Sequence, residues 1–97
     1  MIQAQAEEIA IQAFAWLSEQ ESLLPVFLAA SGASAGDLHR LLASTRGPDE
    51  AFLLAVLDFI LMRDETVIAC ATEIERMPEA LLQAQMVLSG AAQMHWT

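Results

Sequence analysis

The sequence predicts an all-α protein, a compact orthogonal bundle of five to six short helices around a central apolar helix at about residues 49–62. Three observations predict it. Alanine and leucine make up about a third of the 97 residues while Val, Ile and Thr are sparse, a balance that favours helix over strand. Apolar residues recur every three or four positions rather than every second one. Glycine or proline stands where one apolar stripe stops and the next begins, at Gly32, Gly47, Pro48, Pro78 and Gly90.

The first helix is expected over residues 3–20. Ala6, Ile9, Ala10, Ala13, Phe14, Trp16 and Leu17 share one broad arc, with Glu8, Gln12 and Glu19 opposite and Ile11 on the polar side. A second, short helix begins near Ser22 with Pro25 in its first turn, where a missing N–H costs nothing. It buries Leu24, Phe27 and Leu28 and ends at Gly32, which can take a left-handed cap. Ser34 followed by Asp37 is a variant of the capping box and opens a third helix edged by Leu38, Leu41 and Leu42. Pro48, Asp49 and Glu50 form the first turn of the fourth, matching acidic side chains to the positive end of the helix dipole. Residues 52–62 are apolar almost all round, as a central helix would be. Asp64 is expected to cap a fifth helix with Val67, Cys70, Ala71 and Ile74 inward. Pro78 and Glu79 open a sixth, with Leu81, Ala84 and Leu88 inward, that stops near Gly90. With no linker-like run of Gly, Ser or Pro, residues 1–90 read as a single helical domain and 91–97 as a flexible C-terminal tail.

Thirteen acidic residues face four arginines and no lysine, for a net charge of −9 and a pI near 4.3. That field opposes nucleic acid and anionic membrane surfaces, both of which need a basic face. The missing lysine excludes a phosphate-loop lysine, a Schiff base and a lysine general base. The longest uncharged runs, 22–36 and 80–94, have fifteen residues each and contain glycine, too short for a bilayer span of about 20. Glu7 and Glu8 stand where a signal peptide would carry basic residues, so the expected location is cytoplasmic. A hydrophobic content of 56% and a mean hydropathy of +0.44, although raised by eighteen alanines, suggest apolar surface left over for a partner.

Three stretches carry a resemblance: AEEIAIQAFAWL at 6–17, LPVFLAASG at 24–32 and FLLAVLDFILMRDE at 52–65. Across about 6–88 the chain resembles a family of short, uncharacterised all-helical proteins from alphaproteobacteria, classed as a domain of unknown function. Val56, Leu57, Asp58 and Phe59 followed by Asp64 and Glu65 are its most specific part. The resemblance implies the helical fold and no activity. It also implies a Gly-Leu-Pro-like turn before the last helix, where this chain has Glu75, Arg76 and Met77 before Pro78.

Few residues suggest chemistry. Asp58 is the charge embedded in the most apolar helix, and a carboxyl in apolar surroundings can do acid–base work. It shares its side of that helix with Ala51, Ala55 and Met62, so an exposed stripe, or a bond to a neighbouring helix terminus, explains it more simply. His39 has no His or Cys three or four residues away, and His95 lies in the tail, so no metal site is expected. Cys70, the single cysteine, cannot form an intramolecular disulfide, and its apolar face makes it a buried, inert thiol. The pairs Glu7/Glu8, Asp49/Glu50 and Asp64/Glu65 mostly lie in first helical turns, where the dipole stabilises them. No nucleophile elbow, phosphate loop or dinucleotide fingerprint occurs, so no catalytic residue and no cofactor is expected.

Leu82 and Met86 form an i, i+4 pair off the inward stripe of the last helix, and with Ile11 they are the candidate interaction surface. The leading expectation is a small acidic interaction module that binds a protein partner or forms a homo-oligomer. The alternative is a small-ligand-binding or enzyme-accessory protein with a pocket near Asp58. A helix-turn-helix DNA reader comes third, because Arg40, Arg46, Arg63 and Arg76 are scattered and the net charge opposes it.

Overall fold

A computed structural model describes residues 1–31 and 50–90. The predicted third helix with His39, the residues Gly32, Gly47, Pro48 and Asp49, and the tail at 91–97 lie outside the described residues. Five helices make up the described chain: α1 Gln3–Ser18, α2 Leu24–Ser31, α3 Glu50–Ile60, α4 Asp64–Glu73 and α5 Pro78–Leu88. No strand occurs among the described residues.

The buried side chains of α1 are Ala6, Ile9, Ala10, Ala13, Phe14, Trp16 and Leu17, the arc that helical periodicity selects. Three of these are alanines, and a fourth, Ala84 on α5, is equally buried. Alanine lets helix backbones approach closely, and α1 with α5 is the most extensive helix pair in the fold. Helix α3 packs against all four other described helices, which makes it the central one, and it buries Leu53, Val56, Leu57 and Ile60. Four phenylalanines form a chain of edge-to-face contacts through it. Phe14 meets Phe52 at 5.1 Å, Phe27 meets Phe52 at 5.8 Å, and Phe27 meets Phe59 at 5.5 Å between ring centroids. Phe27 is thereby the anchor of α2, whose Leu24 and Leu28 are half-buried.

Three local expectations need correction. Helix α4 begins at Asp64 with Arg63 in the N-cap position, so Asp64 is a first-turn residue rather than the cap. The inner face of α4 includes Thr66 beside Val67, Cys70 and Ala71, and Ile74, at the C-cap, packs half-buried against the same core as expected. Gln12 is half-buried instead of facing water, because Arg76 covers it.

The turn between α4 and α5 shows how the chain manages without glycine. Glu75 follows the C-cap with φ of 58°, the left-handed conformation that glycine adopts most readily. The Arg76 N–H donates to the Ala71 carbonyl at 2.9 Å and the Glu75 N–H to the Thr72 carbonyl at 3.2 Å, the paired bonds of a Schellman cap. A left-handed non-glycine residue costs about 1–2 kcal/mol. That cost is met where the turn aims Arg76 back at α1, with Nε donating to Gln12 Oε1 at 3.0 Å and Nη2 lying 3.8 Å from Glu8 Oε1. At the end of α5 the same left-handed position is held by Gly90, with φ of 79°.

Candidate functional site

Asp58 lies on the outer stripe of α3 with exposed Ala51, half-buried Ala55 and exposed Met62, as its helical position implies. Its Oδ1 accepts a hydrogen bond from Gln85 Nε2 of α5 at 3.0 Å. Beside it is a depression of about 180 Å³ lined by Phe27, Ala30, Ala55, Asp58, Phe59 and Met62. Among the described residues Asp58 is the only polar side chain in that lining, and none of them offers a second group to exchange a proton or orient a substrate with it. The arrangement there is a surface carboxylate above an apolar floor.

Gln85 also fixes the place of the candidate interaction surface. Leu82 and Met86 flank it on α5 and are 50% and 49% exposed, while Leu81, Ala84 and Leu88 of the same helix are buried. The Gln85 to Asp58 bond therefore joins the outer face of α5 to the outer stripe of α3. Ile11, on α1, is 46% exposed and lies on the side away from that helix's buried arc. The three residues do not share one helix; Leu82 and Met86 are neighbours one turn apart on α5. His39 lies outside the described residues.

Cys70 is fully buried, and burial pushes its thiol from an ordinary pKa of 9.0 up to about 11. The native protein is expected to react slowly with a thiol reagent at neutral pH and rapidly once denatured, because the thiolate is the nucleophile. Equal rates in both states would mean that Cys70 is not held in the core. Between pH 9 and about 11 the unfolded chain gives up a thiol proton that the folded chain keeps, so stability falls as pH rises through this window. Thermal melts across it check the sign.

A second concavity, not foreseen from the sequence, lies where the turn before α2, the end of α3 and the start of α4 meet. It has a volume of about 370 Å³. Leu23, Val26, Phe59 and Met62 supply its apolar walls, and Ser22, Arg63 and Thr66 its polar groups. Sequence spacing alone does not bring these residues together, since they come from two segments, 22–26 and 59–66, far apart in the chain.

Among the described residues no cluster of three or more His, Cys, Asp or Glu could hold a metal ion, and no helix is long and apolar enough to cross a membrane. Neither a curated protein nor a solved structure is significantly similar to the chain. The helical architecture agrees with the fold implied by the sequence resemblance. Residues 3–91 match the family described as Protein of unknown function (DUF3572), and the chain belongs to that family.

Proposed function

We propose that this protein is a small helical interaction module that binds through the outer face of α5, with a second copy of the chain as its partner. One observation carries the reading: Leu82 and Met86 are adjacent, large, apolar and half exposed on a helix whose opposite face is fully engaged in the core. Self-association of a chain with net charge −9 must overcome like-charge repulsion. Helix α5 suits it because Glu79 is its only charged residue in eleven, so a symmetric contact along it brings few carboxylates together.

The small-ligand alternative at Asp58 has less support, since a lone carboxylate over an apolar floor offers little specificity. DNA reading has least, with Arg63 and Arg76 on different turns and Arg76 committed to Gln12 and Glu8. The same proposal makes the protein non-enzymatic and cytoplasmic, of alphaproteobacterial type, and independent of membranes and nucleic acid. Light scattering tests it. The wild-type chain is expected to run as a dimer, and Leu82→Glu combined with Met86→Glu as a monomer with unchanged helicity, because an exposed face tolerates charge. A monomeric wild type, or a double variant that keeps the dimer mass, overturns the proposal.

A further inference from the structure

We propose that the cleft between the turn before α2, the end of α3 and the start of α4 binds a single-chain monocarboxylate, with the carboxylate at Arg63 and Thr66 and the alkyl tail along Val26, Phe59 and Met62. The inference starts from Thr66. It is only 8% exposed and is the one polar residue in the buried set among the described residues, yet its hydroxyl makes no hydrogen bond. Thr72, one helical face away, shows the usual resolution for a threonine in a helix, since its Oγ1 donates to the Ile68 carbonyl at 2.8 Å. Thr66 does not bond back in this way. Among the described residues no buried side-chain oxygen or nitrogen is sealed off without a partner, so the Thr66 hydroxyl opens onto the cleft that it lines. A buried hydroxyl facing a concavity without a protein partner is a position for a ligand atom.

The neighbouring groups define what that ligand is. Arg63 lines the same cleft, is exposed, and makes no ion pair or side-chain hydrogen bond among the described residues, although Asp64 and Glu65 follow it in sequence. One guanidinium balances one negative charge and can grip a carboxylate through two parallel N–H donors. A dianionic phosphate would leave charge uncompensated beside Asp64 and Glu65, in a protein already at −9. The rest of the wall is apolar, and Val26 and Met62 at its rim are among the exposed large hydrophobic residues, so a tail laid across them is removed from water along with the side chains. A volume of about 370 Å³ lies in the range of small-molecule sites and holds a medium-length chain.

Calorimetric titration with octanoate tests the proposal, with octanol and octylamine as probes of the same tail and different head. Octanoate is expected to bind saturably with one site per chain, more tightly than either control. Arg63→Gln, at an exposed position without a described side-chain partner, should weaken it by about tenfold or more, the scale of one charge-assisted bond. Thr66→Val keeps the shape and removes the hydroxyl. It should weaken octanoate binding without lowering the melting temperature of the unliganded protein, because the hydroxyl opens onto the cleft and bonds no described protein group. The monomerising change at Leu82 and Met86 should leave octanoate binding intact, which separates this site from the dimer proposal. Equal affinity for octanol, no saturable octanoate binding, or binding that Arg63→Gln leaves unchanged overturns the inference. A lower melting temperature for Thr66→Val also counts against it, since that would show the hydroxyl already satisfied.

Discussion

Replacing Phe27 with alanine is expected to lower the unfolding free energy by about 3–5 kcal/mol, the range for a fully buried aromatic side chain. The position explains why the upper part of that range applies. Phe27 is 1% exposed, the only buried side chain of α2 among the described residues, and it meets both Phe52 and Phe59 of α3 edge to face. Truncation removes the apolar burial, two ring contacts and the link that holds α2 to the central helix. In a domain of this size the melting temperature should fall by ~12 °C or more. Denaturant unfolding followed by circular dichroism reads the change. A variant within about 1 kcal/mol of wild type would show that α2 is anchored by something other than the phenylalanine chain.

A second large effect comes from two neighbouring residues that respond oppositely to the same substitution. Ala10 is fully buried on α1, in the pair of helices with the most extensive contact. Ala10→Gln places an amide and one extra methylene in a space sized for a methyl group. Overpacking and an unpaired buried amide together are expected to cost about 3 kcal/mol or more. Ile11, the next residue, faces away from that arc and is half exposed. Ile11→Gln keeps a good helix former there and is expected to change stability by about 0.5 kcal/mol or less. The pair is measured in the same melts. Similar losses at both positions would mean that α1 is rotated from the orientation described above.

That pair also shows what was legible in the sequence. The seven buried positions of α1 follow from the helical repeat, and so do Leu81, Ala84 and Leu88 on α5, because one face of a helix must be apolar wherever it is packed. The thin outer stripe of Asp58 with Ala51, Ala55 and Met62 followed from the same geometry. Gln12 did not. Its partner Arg76 arrives from 64 residues away, through a turn whose left-handed residue is a glutamate. A glycine there would have announced the turn, whereas Glu75 carries no such signal. Thr66 reads in sequence as an ordinary polar residue in a first turn, and its burial depends on how α2 and α3 pack around it. Helix faces are local properties of the chain, but clefts belong to the assembly of several segments, which is why Leu82 and Met86 could be named in advance and the cleft at Arg63 could not.

The extensive packing of α1 against α5 has a consequence for how the molecule comes into being. Helix formation is fast and local, yet the largest contact in this fold joins the first described helix to the last. While the polypeptide is being synthesised, α1 is finished long before Pro78–Leu88 exists, and the largest of its helix contacts has no partner to form against. The loop that must be closed to bring the two together spans most of the sequence, with the entropy that such closure costs. The fold is therefore closed by the last described helix: earlier helices can form and pack on one another, but the largest helix pair waits for Pro78–Leu88 to emerge.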